Sequence, residues 1–172
     1  MKLLIPNMYQ KSIYDINYDS LYKDKVKCLL FDLDNTCVGY RDKKPTNDLV
    51  ELFNRLTKMG FRVVVFSNSP SKRLALFSTL NVFLHPSSRK PFKKNFYKIL
   101  NKYHYQKREV CIIGDQLFTD ILGGNRTGIR TCLVDPLTNE DLVFTKILRG
   151  MEQIIFKRFA KKDILIRGVY YE

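Results

Sequence analysis

The stretch Val26-Lys27-Cys28-Leu29-Leu30-Phe31-Asp32-Leu33-Asp34 decides the fold class, because a mainly apolar run ends in two carboxylates. A short run of this kind is typical of a buried strand. Side chains two residues apart on an extended backbone point the same way, so Asp32 and Asp34 are expected to face one small volume. Carboxylate oxygens bind Mg²⁺, and a free carboxylate can attack phosphorus. This strand end is therefore the first candidate site.

Three further polar clusters follow apolar or β-branched runs that also predict strands. They are Ser67 and Asn68 after 61–66, Arg89 and Lys90 after 82–84, and Asp115 after 110–114. Helical periodicity lies between the runs and predicts helices over about 47–59, 71–80, 92–103 and 119–126. Another strand is predicted over 129–134, and a closing strand over 163–171.

This alternation of strands and helices predicts an α/β fold, a Rossmann-like three-layer α/β/α sandwich with a mainly parallel sheet. In such sheets ligands bind beyond the carboxyl ends of the strands, where all four polar clusters fall. The chain has 172 residues and 45% hydrophobic content, which is enough for one well-buried core. We therefore expect a single domain over residues 1–172.

The polar clusters, in this order, resemble the motifs of the haloacid dehalogenase (HAD) superfamily of phosphotransferases over about residues 26–135. Motif by motif, the matching residues are Asp32 and Asp34, then Ser67, then Lys90, and finally Asp115 and Asp120. Shorter segments resemble its capless YqeG-type subfamily, which is similar to mitochondrial phosphatidylglycerophosphate phosphatases. These segments are Leu3-Leu4-Ile5-Pro6 and Ser12-Ile13-Tyr14-Asp15-Ile16, together with Thr145-Lys146 and Glu152.

The resemblance implies a phosphatase that forms an aspartyl-phosphate. Asp32 would be the nucleophile, and Asp34 would be the general acid and then the base. Ser67, with backbone amides near Asn68, and Lys90 would bind the phosphoryl group.

The resemblance also implies Mg²⁺ as the cofactor. Asp32, Asp115 and the main-chain carbonyl of Asp34 would hold the ion, and Asp120 would act at longer range or through water.

Taken singly, these residues have simpler interpretations. Ser67 and Asn68 can form a turn after a strand, and Asp115 can cap a helix. Arg89 is the closest rival of Lys90 as the phosphate-binding cation. Their joint order at successive strand ends favours one shared site.

Neither position at which this superfamily carries a cap domain has room for one. Only residues 37–46 separate Asp34 from the first predicted helix, and a helix and a short strand fill residues 67–90. An open site implies a large substrate or partner, or an oligomer that covers it. The segment Gly39-Tyr40-Arg41-Asp42-Lys43-Lys44 is expected to form a short flap at the entrance. Its basic residues could recognise a second acidic group.

The net charge of +13 limits the partners to anionic surfaces, such as nucleic acid or acidic lipid. After Asp141 the tail predicts a basic amphipathic helix, which packs on the sheet or lies on an anionic bilayer. Its apolar positions are Leu142, Val143, Ile147, Leu148, Met151, Ile154, Ile155 and Phe159. Its basic positions are Lys146, Arg149, Lys157, Arg158, Lys161 and Lys162, against the single acid Glu152.

No apolar run approaches the roughly 18 residues that a membrane span needs. The opening Met1-Lys2-Leu3-Leu4-Ile5-Pro6 is too short for a signal peptide. We expect the chain in the cytoplasm, with peripheral contact to the inner face of the membrane if the substrate is a lipid. The four cysteines are expected to be free thiols, at Cys28, Cys37, Cys111 and Cys132.

The preferred hypothesis is a Mg²⁺-dependent phosphatase, with phosphatidylglycerophosphate as substrate by resemblance. One alternative is a phosphatase that acts on nucleic-acid ends or on a phosphoprotein. Another is a nucleic-acid or ribosome-binding module without turnover, and the complete set of carboxylates argues against it.

Overall fold

The computed structural model describes residues 2–138 and 143–172, and the side chains of 143–147 lie outside that description. The strands are β1 (Met8–Gln10), β2 (Cys28–Phe31), β3 (Arg62–Phe66), β4 (Phe83–His85), β5 (Val110–Gly114) and β6 (Arg130–Val134). They form one parallel sheet in the order β1-β6-β5-β2-β3-β4. The first candidate strand, β2, therefore lies in the middle of the sheet.

Helices connect the strands and cover both faces of the sheet. They are α1 (Tyr18–Lys23), α2 (Asn47–Lys58), α3 (Ser71–Ala75), α4 (Lys93–Lys102), α5 (Leu122–Thr127) and α6 (Val143–Ala160). Three 3₁₀ turns (Lys2–Leu4, Ser78–Leu80, Lys107–Glu109) and a π-helical turn (Leu117–Ile121) complete the described elements.

The core has two main layers because side chains alternate along the strands. Leu29 and Phe31 of β2 pack with Phe53 of α2 on one face. Leu30 packs with Phe96 of α4 on the other face. β2 is buried at every position, as a central parallel strand must be. The predicted α/β sandwich is confirmed, and the described residues contain no inserted cap domain.

Several details differ from the expectations. The predicted helix 119–126 is divided between the π-helical turn Leu117–Ile121 and α5. The predicted helix 71–80 is broken into α3 and the 3₁₀ turn Ser78–Leu80. The closing strand over 163–171 is wrong, because this segment forms turns, and only Tyr171 pairs with the sheet, in an isolated antiparallel bridge to Tyr9. Strand β1 was not predicted, since three residues are too few to show a period.

The tail helix packs on the protein with part of its surface. Phe156 and Phe159 of α6 are buried with Tyr9 of β1 and Leu133 of β6. Of the two arrangements that the sequence left open, this face of the helix shows packing on the core. Asp141 and Leu142 lie outside the described residues. Among the helices that the structure describes, none is long and apolar enough to cross a membrane.

The cysteines behave as expected. All four thiols are free and buried, at Cys28, Cys37, Cys111 and Cys132.

Candidate active site

The central strands deliver the predicted polar residues to one edge of the sheet. β2 pairs in register with β3 on one side and β5 on the other, with Phe31 opposite both Val65 and Ile113. The backbone N–H of Asp32 donates to the carbonyl of Ile113 at 2.9 Å. Pairing therefore continues to the residue that begins the site and fixes its position relative to β5.

Lys90 forms the centre of a buried ion cluster. Its Nζ lies 2.6 Å from Oδ1 of Asp32 and 2.6 Å from Oδ1 of Asp120. The Lys90 side chain is only 1% exposed. Burial lowers its pKa, but the charges of Asp120 and Asp32 outweigh burial and raise the pKa above its usual range. Lys90 is therefore a fixed positive charge beside Asp32, whereas its predicted rival Arg89 is exposed.

Asn68 holds the loop that carries Lys90. Its side-chain oxygen accepts from the backbone N–H of Lys90 at 2.7 Å and from the hydroxyl of Ser88 at 2.8 Å. Its side-chain nitrogen donates to the carbonyl of Lys90 at 3.0 Å. Ser67 is buried, and its hydroxyl accepts from the backbone N–H of Ser69 at 3.1 Å. The side chain of Asn68 thus positions Lys90.

Asp32, Asp115 and Asp120 form a group of buried carboxylates, with one oxygen of each within 4.8 Å of the others. Burial raises the pKa of Asp115 to about 6, despite the opposing charge of Arg149. Burial also raises the pKa of Asp120 to about 7, against the opposing charge of Lys90. Three buried acids so close together are short of positive charge, which suits a divalent cation with oxygen ligands.

Asp115 is oriented by two other side chains. Thr36 donates to its Oδ1 at 2.8 Å. Arg149 of α6 donates to its Oδ2 and, at 2.8 Å, to its backbone carbonyl. Glu152 accepts from Arg149 at 3.2 Å and from the backbone N–H of Leu117 at 2.6 Å. Helix α6 therefore fixes the loop that follows β5 through these hydrogen bonds.

Gly114 explains how Asp120 comes so near to the strand end. A Cβ at position 114 would lie 2.2 Å from Cγ of Asp120, which is far inside van der Waals contact. Only glycine leaves room for the Asp120 carboxylate at this place.

Asp34 lies outside the carboxylate trio and has a different environment. Arg73 donates to its Oδ1 from Nε at 3.0 Å and from Nη2 at 2.7 Å. Ser69 donates to its Oδ2 at 2.6 Å. Burial raises the pKa of Asp34, although the hydrogen bonds from Ser69 and Arg73 oppose the shift.

The structure thus brings Asp32, Lys90, Asp115 and Asp120 into direct contact or near contact. Sequence reasoning did not assign site contacts to five residues, which are Thr36, Ser69, Arg73, Arg149 and Glu152. The earlier signals were that Thr36 stands two residues after Asp34 in the first motif and that Glu152 matched the subfamily. No spacing in the sequence marks Ser69, Arg73 or Arg149.

Comparisons with known proteins show which family the chain is similar to. A model of the HAD-hydrolase-like family matches residues 87–137. The chain is 35% identical over 162 residues to Probable phosphatase YqeG of Bacillus subtilis (strain 168), covering 94% of each protein. It is 26% identical over 175 residues to Phosphatidylglycerophosphate phosphatase 1, chloroplastic/mitochondrial, of Arabidopsis thaliana, covering 95% of the chain and 50% of that protein.

Solved structures share the fold. YfnB of Bacillus subtilis, described as a HAD-hydrolase bound to magnesium, superposes with a TM-score of 0.54 at 18% identity, covering 76% of the chain and 99% of YfnB. An uncharacterized protein of Listeria monocytogenes serotype 4b superposes with a TM-score of 0.51 at 17% identity, covering 76% and 99%.

The chain therefore belongs to the HAD-like hydrolase family and is a phosphatase of that family. Within the family it belongs with the YqeG-type proteins, as the short matching segments near both ends of the chain predicted.

Proposed function

We propose that the protein is a Mg²⁺-dependent phosphomonoesterase that works through an aspartyl-phosphate on Asp32. One observation carries this proposal: the Asp32 carboxylate is bound by the buried Lys90 and lies within the trio of buried acids. A nucleophile, a fixed cation and a site for a divalent ion meet at one strand end. This is the set of groups that phosphoryl transfer requires.

The carboxylates fit Mg²⁺ because they offer hard oxygen ligands that converge within 4.8 Å. Asp32, Asp115 and the main-chain carbonyl of Asp34 would hold the ion, with Asp120 directly or through water. When bound, the ion supplies positive charge next to the phosphoryl oxygens and the attacking carboxylate.

The residues of the chain then have separate roles. A carboxylate oxygen of Asp32 attacks phosphorus, and the bond from phosphorus to the leaving oxygen breaks. Asp34 gives its proton to that oxygen, and later takes a proton from the water that hydrolyses the aspartyl-phosphate. Lys90 holds Asp32 and binds the phosphoryl group, and the hydroxyl of Ser67 binds a phosphoryl oxygen.

The proposed substrate is phosphatidylglycerophosphate, which is converted to phosphatidylglycerol. The name of the Arabidopsis relative supports this choice, and so does a site with no cap domain among the described residues. A lipid in a bilayer cannot enter a closed chamber, so an open strand end suits it. The proposal takes residues 1–172 as one domain, with core motifs at 26–135 and a basic helix and tail from about 138.

Helix α6 supports peripheral contact with an anionic membrane. Its face opposite Phe156 and Phe159 exposes Met151 by 49% and Ile154 by 54%. Lys157, Arg158 and Lys161 are exposed nearby. Each cation near an anionic surface contributes about 1 kcal/mol, so a cluster gives weak, reversible binding that the two aliphatic side chains would strengthen.

A phosphate-release assay tests the substrate. Phosphatidylglycerophosphate in vesicles, glycerol 3-phosphate and a 5′-phosphorylated oligonucleotide are compared at equal phosphate concentration, with Mg²⁺ or with excess chelator. We expect the lipid to have the highest kcat/KM and all turnover to stop in chelator. Preference for the oligonucleotide would favour the nucleic-acid alternative instead, and turnover in chelator would contradict the metal assignment.

A vesicle-binding experiment tests the membrane surface separately. The variant Lys157→Glu/Arg158→Glu/Lys161→Glu is compared with Lys23→Glu/Lys58→Glu/Lys98→Glu, which changes three exposed residues elsewhere and lowers the net charge equally. Only the first variant should stop sedimenting with phosphatidylglycerol vesicles at low salt. Its turnover of the lipid substrate should also fall. Both variants should keep wild-type turnover of glycerol 3-phosphate. Equal losses in both variants would show an effect of net charge alone.

A further inference from the structure

Arg73 joins Asp34 to the flap, the segment 39–44 at the entrance of the site. Besides its two bonds to Oδ1 of Asp34, its guanidinium donates to the carbonyl of Gly39 at 3.2 Å and to the carbonyl of Asp42. These two carbonyls belong to one turn, because Asp42 Oδ2 accepts from the backbone N–H of Gly39 at 2.7 Å. One side chain therefore holds a site carboxylate and the turn beside it.

The position of Arg73 is itself well defined. It comes from α3, which follows the strand end of Ser67, and its guanidinium lies 4.9 Å from the ring centre of the buried Phe77. Its side chain is 15% exposed and that of Asp34 is 17% exposed. A planar guanidinium with several fixed donors can meet all these acceptors at once, and a lysine cannot.

We propose that Arg73 is a positioning residue: it fixes Asp34 and the flap relative to each other, so that the proton donor faces the leaving-group oxygen. This inference rests on the proposed role of Asp34 and goes beyond it. Arg73 binds only Oδ1, so Oδ2 is the oxygen that carries and releases the proton. The neighbouring hydroxyl of Ser69 allows this, since a hydroxyl accepts as well as donates.

The step balances without another reactant. The Asp32 oxygen forms a bond to phosphorus, and the bond from phosphorus to the leaving oxygen breaks with its electron pair on that oxygen. The proton of Asp34 Oδ2 goes to the same oxygen, which leaves as an alcohol. An alkoxide needs this proton far more than a nitrophenolate does, because it is the stronger base.

Two soluble substrates separate a positioning role from a structural one. We compare kcat/KM for glycerol 3-phosphate and for 4-nitrophenyl phosphate, since this ratio reports steps up to the departure of the leaving group. For Arg73→Met we expect a loss of at least about tenfold with the alkyl ester and less than about threefold with the aryl ester. Arg73→Lys should recover only part of the loss.

Lys72→Met is the matched control, because Lys72 is the exposed neighbour on the same helix and this variant removes the same charge. This variant should have the same kcat/KM as wild type for both substrates. Equal losses of Arg73→Met on both substrates would overturn the proposal and leave Arg73 a structural role.

Combining variants tests whether Arg73 acts through Asp34. Arg73→Met added to Asp34→Asn should cost less than about twofold more with the alkyl ester, because residues that act as one unit are not additive. Additive losses would overturn the coupling. If Asp34→Asn alone does not slow the alkyl ester selectively, the proposed role of Asp34 fails, which is a different outcome.

The flap gives a readout that is independent of turnover. Trypsin can cut it after Arg41 and Lys43, whereas the bond after Lys44 resists trypsin because Pro45 follows it. Mass spectrometry follows these two cuts, starting from the intact folded chain. Arg73→Met should be cut there several times faster than wild type, whereas Asp34→Asn and Lys72→Met should not, because they keep the bonds from Arg73 to the carbonyls. Unchanged cutting in Arg73→Met would contradict the proposed hold on the flap.

Discussion

The two carboxylates of the first motif, Asp32 and Asp34, each belong to a group of opposite charges, and the two groups are built differently. Lys90 joins Asp32 and Asp120 in an inner cluster where these side chains are 1%, 10% and 0% exposed. Arg73 and Asp34 form an outer pair at 15% and 17% exposure, with the flap carbonyls as further partners. The inner cluster has almost no contact with water, whereas the outer pair lies at the edge of the site and is partly exposed.

The difference separates two tasks of one site. Buried charges interact strongly, and removal of one partner leaves an expensive unpaired charge, so the inner cluster has one arrangement. This suits the nucleophile, whose distance to phosphorus must not vary. The outer pair is held by several weaker bonds to a surface turn, which suits a group that must meet leaving groups of different shape. The following predictions test this contrast, from the largest effect to the smallest.

Replacement of the inner nucleophile should have the largest effect. Asp32→Asn should abolish Mg²⁺-dependent phosphate release, a loss of more than about 10⁴-fold, because no aspartyl-phosphate can form. Asp115→Asn should have a similar effect through the metal. Phosphate release by protein that mass spectrometry shows to be free of deamidation would refute the covalent mechanism.

Loss of the inner cation should affect both turnover and stability. Lys90→Met leaves Asp32 and Asp120 buried without their shared partner, which typically costs about 3–5 kcal/mol, and activity should fall by at least about 10³-fold. Urea unfolding measures the first quantity, and phosphate release the second. Arg89→Met, at the exposed neighbour, is the control, and it should change neither.

The stability of the metal-free protein and its affinity for Mg²⁺ should both depend on pH through the inner carboxylates. The pKa values of about 6 for Asp115 and about 7 for Asp120 lie above the usual range, so the folded protein holds protons that the unfolded chain releases. Without metal, their contribution to stability is present below about pH 4 and is lost as the pH rises towards 7. Mg²⁺ competes with these protons, so its affinity should rise about tenfold or more from pH 5.5 to 7.5. Calorimetric titration of the wild-type protein with Mg²⁺, with no phosphoester present and therefore no turnover, measures this affinity, and a flat profile would contradict the prediction.

Arg149 should affect metal binding more than chemistry. Its guanidinium on Asp115 repels a cation, so Arg149→Met should bind Mg²⁺ more tightly, by up to about tenfold. Titration of both proteins with Mg²⁺ is the measurement, and Lys157→Met on the exposed part of α6 is the control. Weaker binding would show instead that Arg149 mainly orients Asp115.

The smallest effect is expected at the outer pair. Ser69→Ala removes one hydrogen bond from Asp34, while both bonds from Arg73 remain. A single bond of this kind contributes about 0.5–1.5 kcal/mol, so turnover of the alkyl ester should fall by less than about tenfold. A loss as large as that of Asp32→Asn would end the distinction between the two clusters.

Local pattern was sufficient to predict the frame of the site. Apolar runs and helical periods predicted the parallel sheet. The strand ends marked Asp32, Ser67, Asp115 and the pair of Arg89 and Lys90, of which the family resemblance selected Lys90. These are properties of neighbouring residues along the chain, since strand direction and the period of two decide where each side chain emerges. The same reasoning failed over 163–171, where an apolar segment packs as turns and β1 supplies the edge strand.

Only the tertiary structure decided which groups contact each other within that frame. Arg73 lies 39 positions from Asp34, and Arg149 lies 34 positions from Asp115. Backbone amides near Asn68 were expected to bind phosphate, which stays a prediction, and only the structure shows that the Asn68 side chain holds the backbone of Lys90. The chain has 30 lysine and arginine residues, and its sequence gives no reason to single out Arg73 and Arg149 among them. Long, flexible lysine and arginine side chains can reach many acceptors, and the packing of helices against the sheet decides which of these acceptors they bind.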